Sequence, residues 1–297
     1  MKNLIRRCAL SVVLALSLGV LNSGCIQQYT VERMLWQANK AAEPIFINQG
    51  SVPSYEFNRV IALFDKVIEK VPGSSYALKS KLRKASLFIS QNSYEKAFKI
   101  YDDVVTEYKE QKEICARVIF LKGQACEKQG LWDKALEFFN QILLEYEKTQ
   151  KSLAVPLYIA RYYSENGQDS QAQQAYLGAV MYFQSIADKY PNTKGAVLCE
   201  NLIVRTYLEM GTWGKAAEYI EQLDGKYKLG PDTLLVLARI YDNKVKDPVR
   251  AKQIYQRILE NYPKHKIIEA VKKDMKKLIT SEPVANEPVD SEPVNSQ

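Results

Sequence analysis

Arg161, Arg205 and Arg239 are the residues of this chain whose type and recurrence most directly suggest chemistry. A guanidinium is planar, permanently charged and able to grip a carboxylate through two parallel hydrogen bonds. Such a series binds acidic groups without transforming them. The rest of the sequence supplies no reaction machinery. His265 is the single histidine, and no second His or Cys stands at ligand spacing, so neither a histidine-based metal site nor a Ser-His-Asp triad is supported. No GxxxxGK[ST] phosphate loop occurs, and no GxGxxG run follows a strand. The adjacent carboxylates Asp102 and Asp103 would point about 100° apart on a helix, which suits solvent better than acid/base work. The chain is therefore expected not to be an enzyme and to use no cofactor and no metal.

The five cysteines divide by position. Cys8 lies in a leader and Cys25 directly after it. Cys115 and Cys126 fall eleven residues apart in one expected helix, so about 16 Å separates them, beyond disulfide reach. Together with Cys199 they are expected to be buried as small apolar side chains.

Residues 1–24 carry Lys2, Arg6 and Arg7, then an apolar run from Cys8 to Val20, then Ser23 and Gly24 before Cys25. The run falls short of the roughly 20 residues that span a bilayer, and the order is that of a secretory signal. Ser23-Gly24-Cys25 resembles the bacterial lipobox, with Asn22 where that motif usually has Leu and Leu21 one place early. The resemblance implies an acylated Cys25 (palmitate among its chains), cleavage before it, and a chain lipid-anchored in a membrane. Ile26 lacks the Asp that retains such lipoproteins at the inner membrane, so the outer membrane, facing the periplasm, is the expected location. An ordinary signal cut nearby would instead leave Cys25 as a free thiol on an exported chain.

The formal net charge of +7 includes Lys2, Arg6 and Arg7, so +4 remains once they leave with the signal. That mild balance, without a dense basic patch interleaved with aromatics, excludes nucleic acid as a partner.

Self-similarity fixes the architecture. A small or apolar residue followed four and seven places later by aromatic or apolar ones recurs as Val60/Phe64/Val67, Ala97/Tyr101/Val104, Ala135/Phe139/Ile142, Ala172/Tyr176/Ala179, Ala216/Ile220/Leu223 and Ala251/Tyr255/Ile258. Twelve residues upstream of four anchors stand Ala85, Gly123, Ala160 and Val204, followed three later by Phe88, Cys126, Tyr163 and Tyr207; the sixth unit has Ala238 and Tyr241 with one extra residue. Turn signals lie between, at Gln91-Asn92-Ser93, Gln129-Gly130, Asn166-Gly167 and Met210-Gly211. Val71-Pro72, Tyr190-Pro191 and Tyr262-Pro263 end the second helices. Anchors 35 to 44 residues apart compare with the 34 of the tetratricopeptide repeat, and from about residue 56 to 264 the chain resembles that family.

The fold class expected is all-α, a right-handed solenoid of about six tetratricopeptide-type helix pairs with a C-terminal capping helix. Its parts are a signal over 1–24, an anchored linker and irregular first helix over 25–55, the array with its cap over 56–279, and a disordered Glu-Pro-Val tail over 280–297. The first helix is expected over Val31–Ala42, interrupted by Glu43–Ser54 with Pro44, Gly50 and Pro53. The fourth unit's second helix is expected to run from Asp169 to about Tyr190, twice the usual length. Lys266–Ile279 reads as the solubilising cap.

In the family, the first helices of successive units line a concave surface that holds peptides. The resemblance places Lys79, Leu82 and Ser86 there from the second unit, and Arg117, Phe120 and Gln124 from the third. Leu157 and Arg161, then Arg205, then Leu235 and Arg239 follow from later units. Stacked arginines would form a basic ladder for acidic segments, with Phe120, Leu157 and Leu235 taking apolar side chains; alternatively, the arginines pair with acidic neighbours inside the array.

Val71-Pro72-Gly73-Ser74-Ser75-Tyr76-Ala77, Tyr190-Pro191-Asn192-Thr193 and Asn261-Tyr262-Pro263 resemble inter-repeat turns of the BamD-type outer-membrane assembly lipoproteins. That resemblance implies a scaffold contacting a β-barrel partner and other envelope proteins. The alternative is an adaptor for another envelope machine, such as division, pilus or polysaccharide export.

Overall fold

A computed structural model describes residues 28–47 and 52–281, the side chain of Ser281 excepted. Cys25, its leader and the Glu-Pro-Val tail lie outside the described residues. Those described form thirteen α-helices and one π-helical turn, without strands. Helix α1 covers residues 28–47, α2 Ser54–Lys70, α3 Ser75–Ser90, α4 Tyr94–Glu107, α5 Lys112–Lys128, α6 Trp132–Glu145 and α7 Gln150–Glu165. Then come α8 Asp169–Lys189, α9 Lys194–Glu209, α10 Trp213–Tyr227, α11 Pro231–Ile240, the π turn Tyr241–Val245, α12 Pro248–Asn261 and α13 Ile268–Ser281. The chain divides into two compact units, Met1–Val155 and Pro156–Gln297, at a boundary inside α7.

Within each unit the helices pair in sequence order, α3 with α4, α5 with α6, α9 with α10 and α11 with α12. All eighteen residues of the six triplets are buried, none more than 8% exposed. The reason is geometric: a single helix buries a stripe only against neighbours, so the small residue lets the paired helix approach and the aromatic fills the space beside it. In α9 the upstream stripe is displaced. Ile203 and Thr206 are fully buried there, whereas Val204 and Tyr207 are half-buried.

The turns follow backbone chemistry. Asn92, Gly130, Gly167 and Gly211 all have positive φ, from 55° to 73°, the left-handed conformation that ends a helix. Three junctions into a first helix share one device. Ser74, Thr149 and Thr193 each donate a hydroxyl hydrogen bond to the carbonyl three residues earlier, Val71, Tyr146 and Tyr190. Each also accepts from the amide three residues later, Ala77, Ser152 and Ala196, satisfying an otherwise orphaned donor of the helix N-terminus.

Two expectations are corrected and a third is given its structural form. Helix α1 does not stop at Ala42 but continues through Pro44 to residue 47, because Ile45 extends the buried stripe of Ala38 and Ala42 against Val60 and Phe64. Helix α8 is 21 residues long beside the 14 of α4, α6 and α12, half again as long rather than double. The extra residue of the sixth unit is absorbed by the π turn, where the Asp247 amide reaches back to the Tyr241 carbonyl at 2.9 Å and Lys246 takes φ 62°. The cap is α13: Ile268, Val271 and Leu278 are buried against the core of α10–α12, while Lys272, Lys273, Lys276 and Lys277 are exposed.

Candidate functional site

The three arginines of the expected ladder are each engaged within their own unit. Arg161 donates to Glu209 through both Nε, at 2.9 Å, and Nη2, at 2.6 Å. Arg205, one turn before Glu209 on α9, donates to the same carboxylate at 2.8 Å. Arg239 of α11 donates to Asp274 of α13 at 2.8 Å. Burial alone would raise the Glu209 carboxyl, but the hydrogen bonds and charges of Arg161 and Arg205 outweigh it and hold it below the usual carboxylate range. The arginines thus bind carboxylates, and those carboxylates are internal.

The apolar positions expected to receive a partner's side chains are covered. Phe120, Leu157 and Leu235 are 3–6% exposed; Phe120 packs on Phe139 with ring centroids 5.4 Å apart. Gln124 is half-buried on α5. Phe120 packs toward α6, and Leu235 belongs to the core that α11 shares with α12.

An open groove of about 550 Å³ does lie in the first unit, between α1, α3 and α5. Its walls include Leu35 and Asn39 of α1, Leu78 and Leu82 of α3, and Leu121 of α5, and Lys79, Arg83 and Arg117 stand around them. Four lining residues were expected from the repeat register, namely Lys79, Leu82, Ser86 and Arg117. The contributions of α1 and Arg83 were not, although Arg83 lies one helical turn beyond Lys79 and so shares its face.

No acidic residue lines this groove, and among the described residues none of its three cations forms a salt bridge. Lys79 and Arg83 instead lie over the rings of Tyr76, at 5.7 Å, and Phe46, at 5.9 Å. Lys151 nearby, whose ammonium lies 3.9 Å from the Phe120 ring centroid, is pushed below the usual lysine range by burial and then by the charge of Arg117. The groove is therefore a cationic cleft with apolar walls, and Glu32 of α1 feels the charge of Lys79 from outside the lining. In the second unit a smaller recess, about 260 Å³, is lined by Val204, Leu223, Leu229 and Val236 with one carboxylate, Asp232.

Other candidate chemistry is quiet. Cys115, Cys126 and Cys199 are free and buried, with burial pushing each thiol up. His265 sits in the turn before α13, Nε2 3.8 Å from Asp232. Among the described residues no group of three or more His, Cys, Asp or Glu could hold a metal ion, and no helix is long and apolar enough to cross a membrane.

The repeat with the π turn, in which Ala238, Tyr241, Ala251 and Tyr255 are all buried, is also where a family comparison succeeds. Residues 232–265 match the tetratricopeptide repeat. The matched tetratricopeptide repeat runs from the first turn of α11 to His265. No curated protein matches the chain.

Solved structures with a similar helical arrangement include PilW, described as a widely conserved type IV pilus biogenesis factor, at 14% identity and TM-score 0.37, covering 82% of this chain and 98% of that one. PilF of Pseudomonas aeruginosa is similar at 12% identity and TM-score 0.35, covering 84% and 99%. The tetratricopeptide domain of P58(IPK) is similar at 13% identity and TM-score 0.30, covering 87% of this chain and 68% of that one. At these values no function is carried across from them.

Proposed function

We propose that this chain is a protein-interaction scaffold of the bacterial envelope, held at the outer membrane by an acylated Cys25 and facing the periplasm, whose helix-pair array receives a partner in the groove between α1, α3 and α5. The observation carrying the reading is that Lys79, Arg83 and Arg117 stand beside apolar walls with no acidic residue in the lining, which suits a protein segment bearing carboxylates and apolar side chains. Lipid anchoring is supported by Ser23-Gly24-Cys25, and a role in outer-membrane protein assembly by the inter-repeat turns resembling the BamD-type lipoproteins.

Crosslinking and pull-down from native envelopes test this, comparing the wild type with a Lys79→Glu/Arg83→Glu/Arg117→Glu chain. The expected result is a β-barrel assembly protein recovered by the wild type and lost by the charge reversal. Recovery of division, pilus or export proteins instead would overturn the assembly role, and recovery unchanged by the reversal would overturn the groove.

A further inference from the structure

The outward face of α1 is built against the usual rule. Val31, Ala38, Ala42 and Ile45 form its buried stripe, so the opposite side should be polar. Instead it presents Tyr29, 67% exposed, Trp36, 60%, and Ile47, 79%. At about 100° per residue these three fall within about 20° of one another and about 180° from Ile45. Exposed Arg33, Lys40 and Glu43 lie on the same side, giving the series 29, 33, 36, 40, 43, 47. Another large exposed ring, Tyr55, at 76%, opens α2 close by in sequence. Single exposed apolar residues need no explanation, but three large ones aligned on one side of a helix and interleaved with charged residues do.

We infer that this face of α1 rests on the lipid headgroups, with Trp36 and Tyr29 at the membrane interface and Arg33 and Lys40 toward phosphates. The inference rests on the proposed acylation of Cys25. Only two residues, Ile26 and Gln27, separate Cys25 from the start of α1, and an extended chain covers at most about 3.6 Å per residue step, so over three steps a lipid there holds the helix within about 11 Å of the bilayer. Tryptophan and tyrosine favour that depth because an apolar ring and a polar edge are both accommodated. Of two carboxylates at this face, Glu32 accepts from the Tyr76 hydroxyl at 2.5 Å and is held ionised by that bond, and Glu43 pairs with Lys40 at 3.1 Å, so Lys40 reaches a phosphate only by exchanging that partner.

The test supplies the tether chemically, so that it does not depend on lipidation in cells. The mature chain is coupled through Cys25 to a maleimide-bearing phospholipid; Cys115, Cys126 and Cys199 are buried and are not expected to react. Vesicles of phosphatidylethanolamine and phosphatidylglycerol with brominated acyl chains then quench any tryptophan at the interface. Most of the Trp36 emission should be lost relative to unbrominated vesicles, with no such loss for the Trp36→Phe chain, whose remaining tryptophans are Trp132 and Trp213, and with a smaller loss for Arg33→Glu/Lys40→Glu. Quenching that is absent, or the same with and without Trp36, would overturn the inference and leave the face to a protein partner or a second copy. A mature chain isolated from cells without acyl mass would overturn the anchor itself, separately from the vesicle result.

Discussion

A methyl group placed on Gly123 would lie 2.4 Å from Cε1 of Phe139, so α5 and α6 meet at a contact only glycine permits. The ring cannot retreat easily, because Phe120 and Trp132 pack on it at centroid distances of 5.4 and 5.8 Å and its exposure is 0%. Gly123→Ala should therefore destabilise the first unit by about 1–3 kcal/mol, the usual cost of overpacking. Gly178, in the exposed middle of α8 with nothing within 4 Å of an added Cβ, should respond oppositely, Gly178→Ala gaining up to about 1 kcal/mol of helix propensity. Thermal unfolding followed by circular dichroism measures both. Equal responses of the two variants would contradict this account of the repeat.

That contact was legible in the sequence, since Gly123 and Phe139 stand at the small and aromatic positions of one unit. The turns at Asn92, Gly130, Gly167 and Gly211 were legible for the same reason, as few residues take positive φ cheaply. Pro44 misled, because a proline removes one hydrogen bond but does not outweigh the buried stripe continuing to Ile45. The ladder misled differently. Repeat register gives which arginines share a position, and Glu209, one turn after Arg205, was there to be seen, but Asp274 comes from the capping helix 35 residues beyond Arg239. Register likewise found Lys79 and Arg117, yet it could not reveal that α1, outside the even repeats, supplies a wall of their groove.

The Arg161–Glu209–Arg205 cluster makes a pH-dependent prediction. The Glu209 carboxyl is held below its ordinary value in the folded chain, so its stabilisation is present above the unfolded carboxylate pKa, near 4.5. It is lost as pH falls through the folded value. Glu209→Gln should lower stability at pH 7 by about 1 kcal/mol, as a partly exposed charge-assisted pair suggests, and the gap should close in acid. Denaturant titrations of both chains at pH 7 and pH 3 check this; a gap that persists at pH 3 would refute the electrostatic origin.

Burial of Cys115, Cys126 and Cys199 predicts their silence toward a thiol reagent. With Cys25 replaced by serine, the native mature chain should show essentially no reactive thiol, and the chain in guanidinium should show three. A thiol titrating in the native state would place that residue at the surface.

Lys246 holds φ 62° where the π turn ends, a conformation that a side chain makes costly. Its side chain is exposed, so Lys246→Gly removes strain without removing packing. A gain of about 1 kcal/mol is expected in thermal unfolding, and a loss would mean that the turn relaxes differently from its described form.

The groove of the first unit is the proposed place where a partner binds. A photoreactive amino acid placed at Lys79, in the groove, and at Leu144, 83% exposed on α6, asks this in living cells. Crosslinking at position 79 to an outer-membrane assembly protein, with none at position 144, is the result predicted; no crosslink at 79, or the same crosslink from both positions, would contradict it.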